Sequence, residues 1–434
     1  MRPARPSRTA ADEQVAELLR VAKRALGLSL TFLSRLDGTT QHLEVVESSI
    51  PLFRDGQTQP QQTSFCQAIL DGKLPPVIPN VAKLPEAKRL PAARFPRIRS
   101  FVSVPVRLSD GELYGTFCAA GFAADRDLCA RDQALMEVLA SAAATVIEPG
   151  VRDRRRSDEI CSRLAPVVDG GGPTVLLQPI VSLADGRRVG AEALSRFPTD
   201  WGKGPDTVFD EATSVGLGLD LELTAVERAL GHLGTVHGYV AVNFSPATLL
   251  DARSHALLTR TPADRVVIEL SEHDAVEDYE ALAAALAPHR ARGMRLAIDD
   301  VGAGFSSLRH IVLTAPDIIK LDRSIVAGVG DDAVLRTLTR SLVEFAGGLG
   351  ATVVAEGIET VTDALALRDA GVHLGQGWLF ARPCPPLELA AAYPVAGLHA
   401  TPDEIRAGAV VEPPALRPAG RPLPTSGRSP RTGT

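Results

Sequence analysis

The residues best placed to do chemistry are Asp299 and Asp300, in Ile298-Asp299-Asp300-Val301-Gly302-Ala303-Gly304-Phe305-Ser306-Ser307-Leu308. An apolar run over 296–298 stops there at two adjacent carboxylates and a glycine-rich loop. Neighbouring anions repel, so a fold that keeps them together neutralises them with cations, and hard divalent ions prefer carboxylate oxygens. Taken alone, the stretch reads equally well as a strand followed by a helix N-cap. What separates the two readings is recurrence. Glu192, Asn243, Glu269, Lys320, Glu356 and Gln376 also stand where short apolar runs end.

The elements that must position these residues alternate. Strands are expected at 175–183 and 187–194, separated only by Ala184-Asp185-Gly186, which is too short for a crossover helix, so that pair is antiparallel. Further strands are expected at 240–243, 266–270, 295–298, 318–321, 353–355 and near 373–376, with helices at 219–233, 275–291 and 333–347 between them. Eight strands with mostly parallel connections predict an α/β barrel of TIM-like kind whose first strand runs backwards. A barrel closes its strand ends into a ring, so the polar residues above would share one site. Period-two alternation also puts Glu192, Leu194 and Arg196 on one strand face, where the arginine could meet an anionic ligand. The site is strongly negative without a ligand, and two metals clamping a phosphodiester, with water activated between them, are its natural use.

The chain before the barrel reads differently. A helix over 13–28, short strands at 30–33, 43–46, 77–78, 101–106 and 113–119, an Asp110-Gly111 hairpin turn and a helix over 131–147 predict an α+β domain. Glu148-Pro149-Gly150 is expected to break that last helix, and a second, charged helix with Arg152, Arg154, Arg155 and Arg156 is expected over 152–165 as a linker. Those arginines read as a solvated face, although a helix between two domains is well placed to pass on a change in packing. The stripe of Leu135, Val138, Leu139, Ala142 and Val146 is either internal core or a dimerisation face.

At 434 residues, 45% hydrophobic and 23% charged, the chain has room for two or three ordinary cores. A net charge of -6 without a long basic stripe argues against direct DNA binding. No apolar run of membrane-spanning length and no secretory signal are read, so no membrane partner and a cytoplasmic location are expected. Cys66, Cys118, Cys129, Cys161 and Cys384 are scattered and suggest neither a disulfide framework nor a zinc site. Cys66 reads either as a small buried cysteine or as a redox thiol or ligand anchor. The histidines His237, His273, His289, His310 and His373 read as surface or core residues.

Two family resemblances follow. Ile98-Arg99-Ser100-Phe101-Val102-Ser103-Val104-Pro105-Val106, Leu113-Tyr114-Gly115-Thr116-Phe117-Cys118 and Thr63-Ser64-Phe65-Cys66 resemble a GAF sensory domain over 12–148. That resemblance implies a small-molecule ligand, or none and dimerisation; the Asn-Lys…Phe…Asp-Glu series of cyclic-nucleotide-binding members is missing. After a helical linker at 149–171, the stretch Gly190-Ala191-Glu192-Ala193-Leu194-Ser195-Arg196 looks like the signature of EAL domains, phosphodiesterases that hydrolyse cyclic di-GMP to linear 5'-phosphoguanylyl-guanosine. Val242-Asn243-Phe244-Ser245, Glu269-Leu270-Ser271-Glu272, Ile319-Lys320-Leu321-Asp322, Val354-Ala355-Glu356-Gly357-Ile358-Glu359 and Gly375-Gln376-Gly377-Trp378 extend the match over 172–395. Residues 401–434, rich in Pro and Arg, are expected to be a disordered tail.

By the second resemblance, Glu192, Asn243, Glu269 and Asp299 would hold one Mg2+ or Mn2+ ion, and Asp300 and Glu356 would complete a second site sharing Asp299. Lys320 would orient or deprotonate the attacking water or stabilise charge on the phosphate, Glu356 would take part in catalysis, and Glu272 would brace the loop over 302–307. Gln178, Leu194, Arg196 and Gln376 would touch the dinucleotide. A GAF-regulated, homodimeric phosphodiesterase is thus expected, with a catalytically weak cyclic di-GMP receptor as the alternative. The chain departs from the family pattern at Val301 (usually phenylalanine), Ala303 (threonine), Leu177 and Trp378 (tyrosines), and over 208–213, which lacks the usual proline and glutamate. None of these is among the implied metal ligands.

Overall fold

A computed structural model describes residues 8–271, 273–302 and 307–391. The chain divides into two compact units, the boundary falling between Asp158 and Glu159. The first begins with helix Ala10–Leu26, which starts at a capping box between Thr9 and Asp12 and stops at Gly27, whose φ of 66° is the left-handed conformation that glycine adopts without penalty. Strands β1 (Leu30–Leu36), β2 (Thr40–Ser48), β3 (Gln57–Pro60), β4 (Val77–Ile78), β5 (Ser100–Arg107) and β6 (Leu113–Gly121) form an antiparallel sheet in the order β3-β2-β1-β6-β5-β4. Side-chain alternation gives the sheet two cores. Val102, Val104, Val106, Phe117 and Ala119 face the helices, while Phe101, Cys118 and Ala120 pack on the other side with Phe32, Phe65 and Ile78. β3 is absent from the sequence reading because its four side chains, Gln-Thr-Gln-Pro, are all exposed and carry no apolar signal.

The expected break at Glu148-Pro149-Gly150 does not occur: one helix spans Ala130–Asp169. Pro149 and Gly150 are exposed, while Ala143, Ala144, Ile147 and Val151 are buried on the opposite face in the first unit's core. Packing of that face carries the helix past a missing backbone donor on the solvent side. The stripe is correspondingly split, with Leu139 in the core and Val138 67% exposed. The reading that no segment has membrane-spanning length also needs correction. By length and composition alone this helix could cross a membrane, although Met136, Leu139, Ala140, Ala143, Ala144 and Ile147 are buried in the first unit's core.

In the second unit β7 (Thr174–Ser182), β8 (Arg188–Arg196), β9 (Tyr239–Asn243), β10 (Val266–Ser271), β11 (Arg295–Val301), β12 (Ile318–Leu321), β13 (Thr352–Ala355) and β14 (Leu374–Gly375) close into a barrel. β7 is antiparallel to both neighbours, β8 and β14, and the remaining pairs are parallel. The large core lies between strands and helices. A smaller apolar plug fills the lumen: Ile180, Tyr239, Ala241, Val267, Ala297, Ile318, Val354 and Leu374. Gly190 belongs to this packing, because a Cβ there would sit 2.8 Å from the Tyr239 ring. The tail expected over 401–434 lies outside the described residues.

Candidate active site

The plug and the site are one residue pair apart. Two positions beyond Ala241, Val267, Ala297, Ile318, Val354 and Leu374 stand Asn243, Glu269, Asp299, Lys320, Glu356 and Gln376. On the reversed strand the step runs the other way, from Ile180 back to Gln178, which pairs with Glu192. Period-two alternation therefore stacks a polar layer directly on the apolar one. The lumen is apolar below and ionic above.

At the centre of the upper layer Lys320, only 1% exposed, extends its Nζ to Glu356 Oε1 at 2.7 Å, Asp299 Oδ2 at 2.8 Å, Glu269 Oε1 at 3.0 Å and Glu192 Oε2 at 3.6 Å. Burial would pull the ammonium's pKa down, but the four carboxylates together outweigh it and raise it well above the ordinary lysine value. Burial pushes the carboxyls of Glu269 and Glu356 well above theirs, with Lys320 pulling in the opposite direction. Asp300 is lifted to about 6, by burial first and by the charge of Asp299 second. One ammonium does not balance five carboxylates. Glu269 Oε2 is buried without a hydrogen-bond partner among the described residues.

Ligand atoms of Glu192, Glu269 and Asp299 lie within 4.8 Å of one another, as do those of Asp299, Asp300 and Glu356. Two oxygen-rich triads sharing Asp299, one with an orphaned carboxylate oxygen, fit hard divalent cations. The shared residue depends on a feature invisible in the sequence. β11 does not end at Ile298 as expected but continues to Val301 through a bulge: between Ile298 and Val301 it uses one residue more than β12 does between Ile319 and Leu321. Within the bulge Asp300 has φ 60°, left-handed backbone that an aspartate tolerates better than most residues, and its N–H donates to Asp299 Oδ1 at 2.8 Å.

Polar neighbours fix the rest. Asn243 Nδ2 donates to Glu192 Oε1 at 3.3 Å, and Gln376 Nε2 donates to Glu192 Oε2 at 2.5 Å and Gln178 Oε1 at 3.1 Å. Gln178 in turn donates to the Ala381 carbonyl, while Gln376 Oε1 is buried and without a partner among the described residues. Leu194 and Arg196 are half-buried on the Glu192 face of β8, and the Arg196 guanidinium donates to the Ser195 carbonyl rather than to a site carboxylate. Glu272 and Ala303 lie outside the described residues. Of the departures, Leu177 and Val301 are buried in the layer between strands and helices, and Trp378 is 53% exposed beneath the Arg382 guanidinium.

One positioning residue has no signature in the sequence. Glu222, on helix Gly218–Leu230, accepts from the Ser245 N–H at 2.5 Å and from the Ser245 and Thr248 hydroxyls at 2.8 Å each. It clamps the turn that follows Asn243. Its carboxyl is raised by burial, against those three hydrogen bonds. Only the contact across 23 residues reveals the role.

Both parts of the chain match known families. The family model of the EAL domain matches residues 163–383, and that of the GAF domain residues 9–148. The probable cyclic di-GMP phosphodiesterase PdeB of Escherichia coli is 32% identical over 248 residues, 54% of this chain and 47% of that protein. An uncharacterised protein of Mycobacterium tuberculosis is 32% identical over 237 residues, 50% of this chain and 77% of that one. The cyclic di-GMP phosphodiesterase NbdA of Pseudomonas aeruginosa is 32% identical over 222 residues, 48% of this chain and 28% of that protein. Among solved structures, Klebsiella pneumoniae BlrP1, in a manganese/cy-diGMP complex, is 33% identical with a TM-score of 0.44, over 48% of this chain and 55% of that one. The Xanthomonas citri FimX EAL domain, in complex with c-diGMP, has a TM-score of 0.50 at 19% identity over 56% of this chain and 99% of that one, a likeness of fold. The chain spans about half the length of PdeB.

Proposed function

Because the chain belongs to the EAL-domain family and carries a GAF domain ahead of the barrel, we propose that it is a two-metal phosphodiesterase that hydrolyses cyclic di-GMP to linear 5'-phosphoguanylyl-guanosine under the control of the GAF domain. The observation that carries this reading is the pair of carboxylate triads sharing Asp299 around a buried lysine. Cyclic di-GMP and manganese appear together in the name of the BlrP1 complex, and the phosphodiesterase activity in those of PdeB and NbdA.

Glu192, Asn243, Glu269 and Asp299 would hold one ion, and Asp299, Asp300 and Glu356 the other. Bound there, Mg2+ or Mn2+ supplies charge neutralisation for a phosphodiester and makes water acidic enough to attack near neutral pH. The chain's own groups do the remainder. Asn243 and Gln376 hold the Glu192 carboxylate from two sides, and the bulge presents both aspartates to one place. Lys320, kept protonated by its carboxylate neighbours, donates to the developing negative charge on the phosphate or to the attacking water. Gln376 Oε1, buried and without a partner among the described residues, would serve as an acceptor for the dinucleotide.

GAF control is supported by the single helix Ala130–Asp169, which is the last element of the first unit and the first of the second. A homodimer remains part of the proposal. Incubating the purified chain with cyclic di-GMP and Mg2+ or Mn2+ and separating the products should give the linear dinucleotide. Tight binding with no product would assign the chain to the receptor class instead.

A further inference from the structure

The first unit hides a polar cluster that its packing does not require. Cys66, on helix Phe65–Leu70, and Cys118, on β6, place their sulfurs 3.3 Å apart, and both are buried to within 1%. Gln41 Nε2 lies 3.0 Å from Cys66 Sγ and 2.8 Å from Ser34 Oγ; Ser103 Oγ lies 3.2 Å from Cys118 Sγ; Cys118 Sγ reaches Thr116 Oγ1 at 3.2 Å. Ser34 and Thr116 close the network at 2.8 Å. All four polar residues are buried, on a sheet face that also carries Phe32, Phe101 and Ile78 and packs against Phe65 of the helix. Each of these groups must be desolvated to sit there, and an apolar side chain would fill the space without that penalty.

We infer that Cys66 and Cys118 are a redox modification site, a dithiol that a peroxide converts to a disulfide. The sulfurs are already in contact, and closure to a bond of about 2 Å needs only a shift of the order of one ångström. Hydrogen bonds donated to a sulfur, as by Gln41 Nε2 to Cys66, favour its thiolate. Burial raises the Cys66 thiol, but Cys118, Thr116, Gln41 and Ser103 bring it down to about 7, while burial and the neighbouring Cys66 keep Cys118 protonated. Cys66, the sulfur that takes the Gln41 N–H, is thus the nucleophile of the pair and Cys118 its resolving thiol. Gln41 Oε1 accepts from Gln59 Nε2 at 2.7 Å, and Gln59 is exposed on the edge strand β3, so a hydrogen-bonded path leads from solvent to Cys66.

The chemistry balances with hydrogen peroxide as oxidant. The Cys66 thiolate attacks one peroxide oxygen, an S–O bond forms as the O–O bond breaks, and the departing hydroxide takes up the proton that the Cys66 thiol released on ionising and becomes water. Cys118 sulfur then attacks Cys66 sulfur, the S–S bond forms as the S–O bond breaks, and the Cys118 proton leaves with the second water. Each sulfur loses one electron and the peroxide gains two.

The test uses the full reduced chain, treated with hydrogen peroxide in the presence of a chelator and digested without reduction. Mass spectrometry should find a Cys66–Cys118 linked peptide pair lighter by two hydrogens and restored by dithiothreitol, with loss of two free thiols per chain. In Cys118→Ser, dimedone should label Cys66; in Cys66→Ser, it should not label Cys118. The proposal is overturned if peroxide oxidises the exposed Cys129 while Cys66 and Cys118 of the wild-type chain stay alkylatable as thiols after unfolding. That result needs no variant to fold.

Discussion

Asp299 and Asp300 are consecutive residues of one strand whose carboxylates serve the same site, because the bulge places Asp300 at φ 60°. In an unbulged strand they would face opposite sides of the sheet. The backbone distortion is thus what lets both carboxylates join the proposed metal site.

Asp300 should separate stability from activity. Asp300→Gly relieves the left-handed backbone and Asp300→Ala does not, so thermal unfolding should find the glycine variant more stable by about 1 kcal/mol. Both variants should lose hydrolysis, because each removes a carboxylate from the second triad. Equal stability of the two would mean that φ relaxes at this position.

Lys320→Ala leaves every proposed metal ligand in place. Turnover should fall by about 100-fold or more with little change in affinity for cyclic di-GMP, measured by product separation and calorimetry on the same preparation. In chelator the variant should also be less stable by roughly 3–5 kcal/mol, since four carboxylates, three of them buried, lose their common cation. Added Mn2+ should restore much of that loss.

Metal and proton should compete. The folded Asp300 carboxyl is raised from 3.8 to about 6, so between those values the folded chain holds a proton that the unfolded chain has released. Metal-free stability therefore carries a contribution from this group that declines as pH rises through the window. The rise in melting temperature on adding Mn2+ should accordingly grow from pH 4 upward, and Glu269 and Glu356, raised further, extend the trend. A metal-induced rise independent of pH would count against ligation by these carboxylates. Ca2+, larger and looser in geometry, should bind without supporting turnover.

Glu222→Ala should act at a distance from the reacting atoms. It strands the Ser245 N–H and the Thr248 hydroxyl, while the Ser245 hydroxyl keeps Thr248 Oγ1 as an acceptor at 3.0 Å, and the expected loss of stability is about 1–3 kcal/mol. Calorimetry should also find weaker Mn2+ binding, because the turn after Asn243 is released. Unchanged metal affinity would restrict the residue to a folding role.

The barrel and its reversed first strand were legible because Ala184-Asp185-Gly186 leaves no room for a crossover and because polar residues close one apolar run after another. Three things were not. The bulge at Asp300 changes register without changing composition, Glu222 finds Ser245 only in space, and Pro149 reads as a breaker unless the buried face opposite it is known. Substitutions are equally opaque. Leu177 and Val301, which stand where tyrosine and phenylalanine are usual, lie in the hydrophobic layer outside the lumen, so their effect falls on packing.

The two-residue step between plug and ionic layer also limits how such a protein can change over time. Losing or gaining one residue within β9 would carry Phe244 or Val242 into the lumen and Asn243 out among the helices, wrecking core and chemistry together. Point replacement in the upper layer leaves the lower one standing. Descendants that keep the barrel but abandon hydrolysis should therefore arise through exchanged side chains at these strand ends, almost never through insertions or deletions inside the strands, and a catalytically silent relative should still align without gaps across all eight.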